Sequence, residues 1–215
     1  MNLSPKEQAE LDFWRSRPRL NSVLAHDHYE FFYTEFFGLN AESYRGKTIL
    51  DIGCGPRGSL EWATTAALRI GLDPLSHAFT ELGTTHHAMQ YVAARAEHLP
   101  FADKSFDFVT SFNSLDHVDD LEKVIKEMTR VLAPSGTILL LTDIHDQPTV
   151  LEPAAFSWDI IDRFHCRTAD VRHFEHSVTT KEGFGDIYQG ARKGIPYDHT
   201  NKTPRYGILA AKLSV

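Results

Sequence analysis

The run Thr48-Ile49-Leu50-Asp51-Ile52-Gly53-Cys54-Gly55-Pro56-Arg57-Gly58 joins a short apolar strand, a terminal acid and a glycine-rich turn. Glycine has no Cβ and tolerates positive φ, so such a turn lets the backbone lie close against a ligand. A nucleotide-like cofactor is the usual reason to build one. Gly53, Gly55 and Gly58 satisfy G-x-G-x-x-G, and Asp73 follows about twenty residues on, where an acid can accept hydrogen bonds from both hydroxyls of a ribose. Two histidines supply a second kind of chemistry. His117 and His145 follow the fourth and fifth predicted strands, and an imidazole that titrates near neutral pH can serve as a general base. The pairs His26/His28, His86/His87 and His173/His176 match no metal-ligand spacing with acids or cysteines, so no metal is expected.

The elements that must position these residues follow from periodicity. Ser4-Pro5-Lys6-Glu7 is a capping box with proline at the first helical position, and predicts a helix to about Arg17, before Pro18. A second helix starts at Asp27. It sets Tyr29, Phe32, Tyr33 and Phe36 on one face, with Gly38 as its C-terminal cap. That aromatic stripe reads either as packing against a sheet or, in part, as the roof of a pocket. Alternation then begins, with predicted strands over residues 48–52, 69–73, 91–94, 106–111 and 137–142. Helices are predicted over 59–67 and 76–82 and from Asp119, the last with Leu121, Val124, Ile125, Met128 and Leu132 as its apolar stripe. Such alternation argues for a parallel sheet covered on both faces. Beyond it, residues 153–164 could be helical, 171–178 a sixth strand, 179–203 an excursion, and 206–213 a last strand inserted in the sheet.

Composition narrows the function classes. The 215 residues suit one α/β domain, and a net charge of -7 disfavours a nucleic-acid partner. Cys54 and Cys166 make no disulfide framework, which predicts a reducing, cytoplasmic setting. Residues 1–7 lack a signal-peptide pattern, and the apolar run Ile138-Leu139-Leu140-Leu141 falls far short of the roughly 20 residues that span a bilayer, so no membrane partner is expected.

Several segments taken in order resemble the class I S-adenosylmethionine-dependent methyltransferases. Ile49-Leu50-Asp51-Ile52-Gly53-Cys54-Gly55 resembles the first motif of that family, and Gly71-Leu72-Asp73 its second acid. Ala96-Glu97-His98-Leu99-Pro100-Phe101 and Ser105-Phe106-Asp107-Phe108-Val109 resemble the stretches around strands three and four. Leu115-Asp116-His117-Val118-Asp119-Asp120 and Arg130-Val131-Leu132-Ala133-Pro134-Ser135-Gly136 resemble the helix and turn before strand five. Dehydrogenases share the first two features and lack the later ones. Arg57 and Ser135 depart from the family pattern, which has glycine at both positions.

The resemblance implies a Rossmann-like, seven-stranded, mostly parallel sheet with helices on both faces and an N-terminal helical cap. It implies one domain, with residues 1–45 as the cap, 46–145 as the cofactor-binding core and 146–215 as the substrate side and last strands. S-adenosylmethionine is the implied cofactor. Asp51 would attract its ammonium, Gly53 and Gly55 would let the main chain approach, Asp73 would take the ribose, Ala96 and Glu97 would face the adenine edge, and Asn113 would stand near the methionine tail. Capping or turn roles are the alternative for the two aspartates. The expected reaction is methyl transfer to a small-molecule acceptor, at oxygen if His117 or His145 acts as base. The alternatives are an N-methyltransferase, a catalytically silent S-adenosylmethionine-binding protein, or a nicotinamide-dependent reductase. Asn113-Ser114-Leu115-Asp116 stands where DNA amino-methylating enzymes carry Asn/Asp-Pro-Pro-aromatic, which disfavours a DNA base as acceptor.

Overall fold

The computed structural model describes residues 3–17, 19–20, 23–24, 29–145, 147–176, 187–202 and 206–214. The main sheet is built from β1 (Thr48–Ile52), β2 (Leu68–Leu72), β3 (Gln90–Val92), β4 (Phe106–Phe112), β5 (Leu132–Ile144), β6 (Arg167–Glu175) and β7 (Gly207–Ser214). Their spatial order is β3-β2-β1-β4-β5-β7-β6. The first five run parallel, while β7 lies antiparallel to both β5 and β6. The last strand therefore inserts in the sheet, as its apolar composition predicts. A short antiparallel pair, Arg19–Leu20 with Val23–Leu24, stands apart from this sheet.

Successive strand residues face opposite sides, and both sides are buried. Leu50, Ile138, Leu140, Leu209 and Ala211 join one core with α3 (Leu121–Val131) and the 3-10 turn Trp158–Phe164. Ile49, Leu139, Leu141, Ile208 and Ala210 join the other with α2 (Tyr29–Tyr33) and α4 (Ile187–Lys193). The N-terminal helix, α1 (Pro5–Arg15), has the expected capping box, in which Ser4 and Glu7 bond each other's backbone. It buries Leu11 against Leu75, Phe79 and Leu82, which follow β2. Among the described residues, no helix is long and apolar enough to cross a membrane.

Five expectations change. Residues 59–67 form turns rather than a helix. The carbonyls that would accept helical N–H groups are taken by side chains: Trp62 Nε1 donates to Ser59 O, and the Arg69 guanidinium to Leu60 O and Glu61 O. The helix expected over residues 76–82 is a 3-10 turn, Ala78–Leu82, and only Trp158–Phe164 of residues 153–164 is helical, also as 3-10. Asp120, not Asp119, caps α3, because its side chain accepts from Lys123 N at 3.2 Å while Asp119 is drawn into ion pairs. The aromatic helix ends at Tyr33 and continues as the 3-10 turn Glu35–Phe37 before Gly38, whose φ is 66°. Asp27, its expected start, lies outside the described residues, as do Pro18, His26, His28 and Asp146.

Candidate active site

A cavity of about 510 Å³ opens beyond the carboxyl ends of β1, β2 and β4, where ligands of open parallel sheets bind. Asp51, Gly53, Gly55, Asp73, Ala96, Glu97, Asn113 and His117 all line it. His145 does not; it is buried behind Asp116.

Gly53 and Gly55 adopt φ of 70° and 57°. A Cβ on Gly53 would stand 2.2 Å from Ser114 Cβ. Ser114 has little room to retreat, since its Oγ donates to Ile52 O at 2.8 Å and lies 2.7 Å from Ser111 Oγ. Gly53→Ala therefore combines left-handed strain with overpacking. It is expected to cost about 3 kcal/mol of stability, read as a lowered denaturant midpoint at unchanged slope. Gly55 is bare for a different reason. A Cβ there would reach 3.0 Å from the Trp14 ring, which α1 lays over the turn.

Asp51 ends β1, only 2% exposed. Tyr33 Oη donates to its Oδ2 at 2.9 Å, Ser59 Oγ donates to the same oxygen, and Thr110 Oγ1 donates to Oδ1 at 2.6 Å. Burial raises its pKa to about 6, against the pull of those three hydroxyls. Asp73 accepts from Leu75 N at 2.9 Å and from Gly55 N at 3.3 Å, which ties the acid to the glycine turn. Its carboxylate reaches the cavity but is packed about by protein. Burial lifts its pKa to about 7, with Glu10 adding to the rise and the two N–H groups opposing it.

Glu97 meets the cavity half-buried, and its Oε1 accepts from Asp119 N and Asp120 N at 2.9 and 3.2 Å. One oxygen thus holds the turn before α3. Asn113 leaves β4 at φ 54° with its N–H on Leu141 O. Arg57 sits 5.4 Å over the Trp14 ring and lines the cavity, and its buried Nε has no hydrogen-bond partner among the described residues.

Carboxylates and imidazoles alternate along the end of the cavity beyond β4. Trp14 Nε1 donates to Glu10 Oε1 at 2.8 Å, and Glu10 Oε2 stands 3.8 Å from His117 Nδ1. His117 Nε2 is 3.9 Å from Asp116 Oδ1, and Asp116 Oδ2 is 3.7 Å from His145 Nε2. His145 Nδ1 donates to Gln147 O at 2.8 Å. The Asp116 carboxylate, opposed by burial and helped by that carbonyl, raises the His145 pKa to about 9, so His145 is an imidazolium at neutral pH. Asp143 lines the cavity and meets His176 rather than His145, at 3.4 Å.

Sequence reasoning missed Asp116, Glu152, Ser59, Thr110, Glu10 and Trp14 as site residues, and had Tyr33 only within an aromatic stripe that either packs on the sheet or roofs a pocket. Asp116 had a signal, an acid beside the candidate base. Tyr33 and Trp14 had none beyond apolar periodicity, because helix docking alone turns them towards the cavity. The docking of α1 is electrostatic at its edges. Lys6 pairs with Asp119 at 2.5 Å, Arg95 with Glu7 and Asp119 at 2.7 Å each, and Arg15 with Glu81 at 2.6 Å. Exposed pairs are worth at most about 1 kcal/mol each. Arg95→Ala, which removes two of them, is expected to weaken cofactor binding about fivefold by calorimetry, with the deficit shrinking in about 0.5 M salt.

The geometry fits a nucleoside cofactor with a charged tail: a bare glycine turn, an acid at the end of β2 and a buried acid at the end of β1. A family model described as a methyltransferase domain matches residues 50–140. That stretch, which runs from within β1 into β5, is what this chain shares with the methyltransferase domain. S-adenosylmethionine is the cofactor that this likeness implies. Among curated relatives, tocopherol O-methyltransferase of Arabidopsis thaliana is 31% identical over 137 residues, covering 59% of this chain and 39% of that protein. Malonyl-[acyl-carrier protein] O-methyltransferase of Erwinia billingiae is 28% identical over 180 residues, 78% of this chain and 72% of that one. The ubiquinone/menaquinone biosynthesis C-methyltransferase UbiE of Klebsiella pneumoniae is 32% identical over 126 residues, 54% and 49%. The chain thus spans less than half the length of the first and third of these. A S-adenosylmethionine-dependent methyltransferase from Aquifex aeolicus superposes at a TM-score of 0.60 with 14% identity, covering 100% of both chains, a likeness of fold.

Proposed function

We propose that this protein transfers a methyl group from S-adenosylmethionine to the oxygen of a small-molecule acceptor, with His117 receiving the acceptor proton. The observation that carries this reading is the presence of His117 in the same cavity as Asp51, Gly53, Gly55 and Asp73. Of the two candidate histidines, His145 is the poorer base: it is buried, lies off the cavity and is already protonated. Its part is to hold Asp116, which in turn faces His117 Nε2 and leaves Nδ1 to the cavity side.

When bound, S-adenosylmethionine supplies an electrophilic methyl on a sulfonium. The residues do the rest. Asp73 would hold the ribose hydroxyls, Asp51 would set a negative charge under the ammonium, and Asn113 would stand by the tail. Ala96 and Glu97 would border the adenine. Trp14 and α1 would exclude water and keep the acceptor on line. Tyr29, Phe112, Leu151, Ile187 and Tyr188 give the acceptor end an apolar wall, which suits a small molecule with an apolar body. Two of the relatives named above are O-methyltransferases and one is a C-methyltransferase. We treat residues 1–45, 46–145 and 146–215 as one domain, since Trp14, Asp51 and Ile187 meet in one cavity. The free thiols Cys54 and Cys166 agree with a reducing, cytoplasmic setting.

Calorimetry with S-adenosylmethionine and with the nicotinamide cofactors is the first test. Binding only the latter overturns the proposal. Methyl-labelled cofactor is then offered with phenols, carboxylic acids and amines. Label on the hydroxyl or carboxyl acceptors is the expected result, and label confined to amines overturns the oxygen assignment.

A further inference from the structure

Asp116 is 0% exposed, and among the described residues neither of its carboxylate oxygens has a hydrogen-bond partner. An ionised carboxylate left this way is costly unless a positive charge meets it. His145 serves Oδ2 from one side at 3.7 Å. The other oxygen, Oδ1, turns towards His117 Nε2 at 3.9 Å. One ligand atom from each of Asp116, His117 and Glu152 lies within 4.8 Å of the other two. Two carboxylates thus converge beside an imidazole. Lys6, the nearby ammonium on α1, is turned away to His117 O and Asp119.

We infer that Asp116, His117 and Glu152 form a site for one divalent first-row transition-metal ion at the acceptor end of the cavity. The inference rests on the methyl-transfer reading only for the ion's role, not for its binding. Ligand atoms about 2.0–2.3 Å from such an ion sit roughly 3–4 Å from one another. Asp116 Oδ1 and His117 Nε2, at 3.9 Å, have that spacing and are too far apart to bond directly. The outer groups are those of a metal site as well. A metal-bound imidazole usually meets a carboxylate or carbonyl with its other ring nitrogen, and His117 Nδ1 faces Glu10 at 3.8 Å. Thr149 Oγ1 donates to Glu152 Oε2 at 3.1 Å and steadies that ligand. One nitrogen and two carboxylate donors suit zinc, manganese or iron(II) better than a soft ion, which prefers thiolates.

His117 and Glu152 line the cavity while Asp116 lies behind them, so the ion's open positions face the acceptor. An acceptor hydroxyl on the ion would lose its proton to solvent near neutral pH and present an alkoxide or phenolate oxygen. That is the ion-loaded form, in which His117 is a ligand; in the ion-free protein His117 is the base proposed above.

The test uses the full chain, stripped with a chelator and titrated with cobalt(II), read by its visible d–d absorption, then with zinc by calorimetry. One ion per chain is expected. Glu152→Gln, on a surface loop, and Asp116→Asn should each weaken binding at least tenfold. If Asp116→Asn does not fold, Glu152→Gln decides alone. Absence of saturable binding overturns the inference. So does binding that survives Glu152→Gln, above all if His199→Ala abolishes it, since that assigns the ion to the His173–His199 pair, whose ring nitrogens are 2.9 Å apart. S-adenosylmethionine calorimetry run on the same samples separates the two readings. Ion binding without cofactor binding overturns methyl transfer and keeps the site; the converse overturns the site alone.

Discussion

Asp73→Asn is expected to lower S-adenosylmethionine affinity about 100-fold without loss of fold. A carboxylate can accept from both ribose hydroxyls, and hydrogen bonds to a charged group are worth about 1.5–3 kcal/mol each. Asparagine keeps one acceptor oxygen and turns an NH₂ towards Gly55 N–H, donor against donor, where Oδ2 now accepts at 3.3 Å. Losing most of two such bonds gives roughly 3 kcal/mol, or two decades in the dissociation constant. The pH dependence carries the same information. With its pKa raised to about 7 by burial, Asp73 is partly protonated at neutral pH. Binding that needs the carboxylate strengthens as pH rises from about 6 to about 8 and then levels. Asp73→Asn should lack that rise. Stability runs the other way. A carboxyl whose folded pKa exceeds its unfolded value of about 4 binds more protons in the folded state, so its contribution to stability falls as pH climbs from about 4 to about 7. The cofactor-free variant should therefore melt no lower than wild type at pH 8. Unchanged affinity and an unchanged pH profile in Asp73→Asn would show that the ribose contact lies elsewhere.

The core of this fold is legible in the sequence because its signals are local. Ile138 to Leu141 is continuously apolar because β5 is buried on both faces, and Gly53 and Gly55 are bare because a turn with positive φ must pass Ser114 and Trp14. The order of Asp51, Asp73 and His117 along the chain follows the order in which parallel strands deliver their carboxyl ends to one cavity. What stayed hidden depends on contacts distant in sequence. Residues 59–67 carry no helix breaker, yet Arg69 and Trp62 claim the carbonyls a helix would use. Glu97, placed by resemblance beside an adenine, also anchors the backbone of Asp119 and Asp120. His145, equal to His117 by strand position, differs from it because the chain after β5 turns its ring inward to Asp116 and Gln147. Glu152 is one of many loop acids until the fold sets it beside Asp116 and His117.

The second large effect concerns His117. General base catalysis typically contributes about 10²–10⁴ in rate. His117→Gln should lower kcat by that range for a hydroxyl acceptor and leave cofactor affinity within a few-fold, because the Asp51, Gly53 and Asp73 contacts are untouched. The acid limb of the rate profile should flatten in the variant, since the group whose deprotonation it reports is gone. Glu10 sharpens the test. It faces His117 Nδ1 at 3.8 Å and is itself fixed by Trp14 Nε1. Glu10→Gln removes a carboxylate that faces the ring, so kcat should fall by less than in His117→Gln while cofactor affinity stays within a few-fold. A structural role for His117 would give a different pattern, with lowered melting temperature, weakened cofactor binding and an acid limb that stays in place. An amine acceptor that arrives neutral would leave kcat of His117→Gln near wild type and so remove the need for a base altogether. The three outcomes separate on the same two measurements, kcat against pH and cofactor affinity, made on one pair of variants.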